Sequence, residues 1–135
     1  QMAFGKLTNA DKAAAKNRWG LPPEGEQWIK VIEVSDHKRI DRWDMICETI
    51  PGKGKQPITF DTAQWYTSKK ARAFTMRLFR DLGFPIQDNG KVNTADVGGI
   101  VWVDLTVSQN EKDGVTYDNV RTSFDTSVEV PPELQ

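Results

Sequence analysis

Cations and flat rings are interleaved in one part of this chain. Lys38, Arg39, Arg42 and Trp43 lie within six positions, and Lys53 and Lys55 flank Gly54 in the stretch "IPGKGKQPITF". Trp102, Tyr117 and Arg121 repeat the combination further on. A single-stranded nucleic acid needs cations along its phosphates and π-faces for its unstacked bases. Each base stacked on an aromatic ring is worth about 1–3 kcal/mol, whatever the base. Lysine and arginine on phosphates add a salt-sensitive, sequence-independent contribution through counterion release.

Each of these residues also has a plainer reading. A turn at 51–55 needs Pro51, Gly52 and Gly54 but not its lysines, which can simply be solvated. Trp43 alternates with Met45 and Cys47 and could belong to the core. Trp28 shares a side with Ile32 and Val34, which favours burial. Trp102 lies opposite a valine-rich face, so it can pack on a helix, on the N-terminal segment or on a base. Tyr117 and Arg121 share one face of their strand. Trp65 and Tyr66 are expected to pack at a helix start, with Lys69, Lys70, Arg72, Arg77 and Arg80 on its solvated side.

Catalytic patterns are missing. His37 stands in a charged loop, and one histidine with one cysteine, Cys47, does not make a usual zinc site. "PGKGKQP" lacks the spacing of a phosphate-cradling P-loop, and there is no Gly-x-Gly-x-x-Gly run or Cys-x-x-Cys pair. No enzyme activity, cofactor or metal is expected.

The elements that must position these residues fit within 135 positions, enough for one hydrophobic core. The composition is that of an ordinary globular chain, with 38% hydrophobic and 27% charged residues. Its apolar runs are too short to span a bilayer, and no signal-like segment is expected. A single cysteine excludes an internal disulfide. The net charge of -1 hides an asymmetry: Lys and Arg outnumber Asp and Glu by 15 to 9 over residues 1–80, and are outnumbered 3 to 10 over residues 81–135. One basic working face and an acidic remainder are a natural reading.

Residues 1–23 read as a flexible or short helical segment, the helix covering 6–19 and docking through Leu7 and Trp19, with "GLPPEGE" as a linker. A domain at 24–124 follows, and 125–135 read as a loose, mildly acidic tail. Alternation predicts strands at 27–34, 40–50, 57–61, 100–107 and 115–124. Phe74, Leu78 and Leu82 recur at helical spacing, with Asp61 or Thr62 as the cap, Gly83 at the left-handed C-terminal position and Pro85 preventing resumption. Three strands, a helix and two strands is the order of the OB-fold, a small, partly open five-stranded barrel. An open α+β sheet would use the same pieces. The barrel leaves fewer exposed edges and is the expectation carried forward. It would bring strand 2, strand 3 and the loops 1–2 and 4–5, hence the residues above, to its binding side.

"GEQWIKVIEV", "GKGKQPITF", "LFRDLGFP", "ADVGGIVWVDL" and "VTYDNVRTSF" in this order resemble the small OB-fold single-stranded-DNA-binding proteins of tailed bacteriophages, over about residues 24–124. The resemblance implies a non-enzymatic protein that coats and protects single-stranded DNA during phage replication or recombination, in the infected host's cytoplasm. Replication or recombination proteins would be its partners. Bacterial single-stranded-DNA-binding proteins end in an acidic tip closing with phenylalanine, whereas this sequence ends "VEVPPELQ", which puts partner recruitment by that route in doubt. RNA binding is not separable from DNA binding here. A protein-interaction module docking an acidic partner is the main rival, and a salt-insensitive sugar or small-molecule barrel is another. Strand edges near 57–61, or the N-terminal segment, could pair two copies as a homodimer.

Overall fold

The computed structural model describes residues 18–37, 39–84 and 99–135. They form a mainly β structure of one sheet and one helix. The strands are β1 (Arg18–Trp19), β2 (Gly25–Asp36), β3 (Arg42–Thr49), β4 (Ile58–Trp65), β5 (Ile100–Lys112) and β6 (Val115–Asp125). Helix α1 (Lys69–Asp81) lies between β4 and β5, and a single 3₁₀ turn, Pro132–Leu134, lies near the C-terminus. The sheet order is β1-β4-β3-β2-β5-β6. The five long strands pair antiparallel, and only the short β1 pairs parallel, on β4.

Alternation decides what is inside. Ile29, Val31 and Val34 of β2 meet Met45 and Cys47 of β3, Phe60 of β4, Val101, Val103 and Leu105 of β5, and Phe124 of β6. A β-bulge between Val31 and Glu33 inserts Ile32 into β2 and bends the sheet over this core. Helix α1 closes one side with Leu78 and Phe79 fully buried and Phe74 and Leu82 partly so.

The sheet curls without closing as a barrel. β4 and β6 are joined by side chains and not by a backbone ladder: Thr62 Oγ1 donates to the Val120 carbonyl at 3.0 Å and lies 2.6 Å from Thr122 Oγ1. Following ladder partners from Thr62 leads through Met45 to Val34, and from Thr122 through Leu105 to Gly25. The two trails reach β2 nine positions apart, the kind of stagger that curls a sheet toward closure.

Several boundaries differ from expectation. Residues 61–65 continue β4 against β3, so neither Asp61 nor Thr62 caps the helix. Ser68 does, its hydroxyl accepting from the Ala71 amide at 3.1 Å. Cross-strand pairing has overridden a stretch that could serve either element. At the other end Gly83 takes φ +86°, its amide bonds the Arg80 carbonyl, and the Phe84 amide bonds the Phe79 carbonyl. The Phe84 and Phe79 rings then meet edge to face, 5.2 Å between centroids, completing a Schellman cap with its hydrophobic contact. The "SQNEK" expected as connection belongs to β5, and the hairpin turns on Asp113 and Gly114 alone, both at positive φ, as a two-residue Asp-Gly turn requires.

Arg18 and Trp19 are strand and not helix, and β1 occupies the β4 edge at Ile58 and Thr59. The rest of the expected N-terminal helix, with Leu7, lies outside the described residues, as does Pro85. At the start of the C-terminal stretch Asp81 accepts from Thr126, and Asp125 accepts from the amide and hydroxyl of Ser127.

Candidate nucleic-acid interface

The outward face of the curled sheet is set by the same alternation. On β3 it carries Arg42, Asp44, Ile46 and Glu48; on β4, Asp61, Ala63 and Trp65; on β6, Tyr117, Asn119 and Arg121. Arg42 and Trp65 are ladder partners at the end of the β3–β4 hairpin nearest the helix. The Arg42 guanidinium carbon sits 5.2 Å from the centre of the Trp65 ring, a cation–π contact, and its Nε lies 2.7 Å from Asp44 Oδ1. Trp65 stays 49% exposed despite its size.

The β4/β6 seam opens beside this pair into a cleft of about 410 Å³. One wall is Arg42, Ala63, Gln64 and Trp65, and the other is Asn119, Val120, Arg121 and Thr122. Two expected site residues, Arg42 and Arg121, thus meet across the seam although 79 positions separate them in the chain. Gln64 is braced by bonds from its amide to the Trp65 carbonyl and Thr75 Oγ1.

Beside the cleft, the β2–β3 connection is held to the helix. Tyr66 donates to Asp36 at 2.7 Å, its amide bonds the Asp41 carbonyl, and Arg72 pairs with Asp41 at 3.2 Å while lying over the Tyr66 ring. Burial first, then the bond to Asp36, pushes the Tyr66 phenol up to about 12. Arg39 is exposed here, its amide bonded to His37 Nδ1. Lys38 lies outside the described residues.

Lys53 and Lys55 are placed elsewhere. Gly52, Lys53, Gly54 and Lys55 make a turn closed by the Lys55 amide on the Gly52 carbonyl, with Gly54 at φ +83° as a type II turn demands. Both lysines are exposed. The tip is at the far end of β3 from Arg42, roughly 23 Å away along the strand at 3.3 Å per residue. Asp44, Glu48 and Asp61 occupy the outward face between them. Burial, and secondarily the Asp44 charge, hold the Asp61 carboxyl above its ordinary range.

The aromatic candidates divide. Trp43 faces inward, its ring edge to face with Phe79 at 5.0 Å, so it supports the core and is not laid open for a base. Trp102 faces outward, but its ring meets its ladder partner Trp28 at 5.1 Å near the tip-lysine end, and both are half-buried. Trp28 is therefore outside the core: the bulge at Ile32 shifts the alternation, so Val34 turns inward and no longer shares the side of Trp28. Tyr117 is 54% exposed on the projecting β5–β6 hairpin. Trp65, expected to pack at a helix start, instead ends β4, and the helix begins at Lys69. The Asp61, Ala63, Trp65 alternation was the available signal.

Among the described residues there is no cluster able to hold a metal, and no helix is long and apolar enough to cross a membrane. No family model, curated protein or solved structure matches the chain.

Proposed function

We propose that this is a single-stranded-DNA-binding protein, its curled sheet an open variant of the OB barrel, and that the strand crosses the β4/β6 seam. The observation that carries this reading is the cleft that Arg42 and the half-exposed Trp65 line together while Arg121 stands on the opposite wall. A base can stack on the ring face that Arg42 leaves open, while Arg42, paired with Asp44, holds the ring in place. Arg121 is free to meet a phosphate, since among the described residues it has no acidic partner. The strand order and the stagger of the seam support the barrel part.

Within this reading Tyr117 extends the path along the β5–β6 hairpin, and Arg39 adds charge beside the cleft. Lys53, Lys55 and the Trp28–Trp102 pair form a second, more distant contact region reached only by a longer strand. The acidic residues between the two regions favour a path across the sheet over one running along β3. The resemblance to phage single-stranded-DNA-binding proteins gives the biological setting: transient single strands in replication or recombination.

The test is quenching of tryptophan fluorescence on titration with oligo-dT, at two salt concentrations and against duplex of equal length. Quenching that weakens with salt, and is poor with duplex, is expected. Absence of quenching and of competition at low salt would overturn the reading and favour the protein-docking alternative.

A further inference from the structure

The cleft at the seam has more chemistry than a sequence-tolerant strand binder needs. Asn119 lines it together with Arg121 and Trp65. Asn119 and Arg121 occupy alternate outward positions of β6, opposite Ser108 and Thr106. Neighbouring polar side chains are engaged: Gln109 bonds Asp118, Gln64 bonds the Trp65 carbonyl and Thr75, and Thr62 bonds Val120 and Thr122. Among the described residues the Asn119 amide has no such partner, and it is exposed.

A stacking face, a free guanidinium and a free amide around about 410 Å³ form the complement of one nucleotide. We propose that the seam is a socket for a single splayed-out adenine nucleotide within the bound strand. Its base stacks on Trp65, its edge is read by the Asn119 amide, and its phosphate is met by Arg121. This rests on the single-strand-binding reading above and adds base preference to it.

The choice of base follows from hydrogen-bond patterns. A carboxamide presents one donor beside one acceptor, so it pairs with a base edge that offers the complementary couple. Adenine offers that couple on both of its accessible edges, N6–H with N7 and N6–H with N1. Guanine offers two acceptors, N7 and O6, on the first of these edges and has the couple, O6 with N1–H, on its Watson–Crick edge, and the pyrimidines likewise have it on their Watson–Crick edge alone. In a single strand both edges are open. Adenine can therefore be read in two settings of the ring on Trp65, and its larger π-face also stacks better than that of a pyrimidine.

The experiment uses three oligonucleotides of equal length: oligo-dT, oligo-dT with one central adenine, and oligo-dT with one central cytosine. One adenine in a thymine background avoids the self-stacking of an adenine run. Affinities are read from tryptophan quenching for the wild-type chain and for Asn119→Ala and Asn119→Asp, with far-UV circular dichroism checking that each variant is folded. The adenine-containing strand should bind about two- to fivefold tighter than the other two, a factor of about two from the second readable edge and the rest from the stronger stacking of a purine. Both variants should lose most of that preference, and Asn119→Asp, which sets a carboxylate two positions from Arg121, should also weaken binding of every strand. Equal affinity of the wild type for all three strands overturns the socket and leaves strand binding intact, as does a preference of undiminished size in Asn119→Ala. Failure of every strand to bind overturns the socket together with the reading beneath it.

Discussion

Thr62 and Thr122, sixty residues apart, hold hydroxyl to hydroxyl at 2.6 Å across the seam between β4 and β6. Thr62 already donates its proton to the Val120 carbonyl, so Thr122 is the donor between the two. This short chain of bonds stands where a barrel would have a backbone ladder, and it keeps Arg121 opposite Trp65.

Replacing Thr62 by valine keeps the volume and removes both bonds. A loss of about 1–3 kcal/mol is expected, because the Val120 carbonyl and the Thr122 hydroxyl lose their partner in a half-buried place. Urea unfolding should show a lower midpoint at unchanged slope. Oligo-dT affinity should fall as well, since the wall carrying Arg121 is no longer pinned.

Two tryptophans should separate binding from stability. Trp65→Ala removes an exposed ring and should cost about 1–3 kcal/mol of single-strand affinity with little change in unfolding midpoint. Trp43→Ala removes a ring packed on Phe79 and should cost about 3 kcal/mol of stability. Paired titrations and melts of the two variants decide it, and the reverse assignment would move the site to the inner face.

The basic residues should differ in the strand length at which they matter. Arg121→Ala should lower the salt slope for a short oligonucleotide by about 0.7, whereas Arg42→Ala, which removes a guanidinium already paired with Asp44, should lower it by less. Replacing Lys53 and Lys55 together should leave that slope unchanged and reduce it only for a strand long enough to reach the hairpin tip. An effect of the lysines on the shortest strand that binds would place the tip in the primary site.

Gly99 lies against the end of the helix. A Cβ there would come 2.7 Å from Leu82 Cδ2 and 3.0 Å from the Leu82 carbonyl oxygen, and the second of these is backbone that cannot swing aside. Its own carbonyl accepts from the Val31 amide at 2.8 Å, which prevents retreat. Gly99→Ala should therefore lower stability by about 1–3 kcal/mol in a thermal or urea melt.

Asp61 gives a pH dependence of known sign. Its carboxyl titrates above the unfolded value, so the folded state holds its proton more tightly, and stability falls as pH rises through that interval. Asp61→Asn should stabilise the protein at neutral pH and lose that gain below about pH 4, where the unfolded carboxyl is also protonated. The side chain is exposed and water screens it, so the gain should stay under about 0.5 kcal/mol. Urea midpoints of both proteins across this range measure it.

Much of the frame was determined by the sequence alone. Period-two alternation marked five strands, since a strand buried on one face can carry little else. Helical spacing found Leu78 with Phe74 and Leu82, and Gly83 was placed at the C-terminus because only glycine enters the left-handed region freely. The extra reach of β5 was also written there, in Asp113-Gly114, but polar residues on a projecting hairpin imitate a loop. Local pattern could not decide whether residues 61–65 were helix or strand, because the choice lay with hydrogen bonds to β3. Trp65 followed that choice, and so did the fate of Trp43, whose alternation suits core and groove equally. The meeting of Arg42 with Arg121 had no local signal at all. It depends on the stagger accumulated across five strands and on one bond between Thr62 and Thr122, quantities that exist only once the sheet has curled.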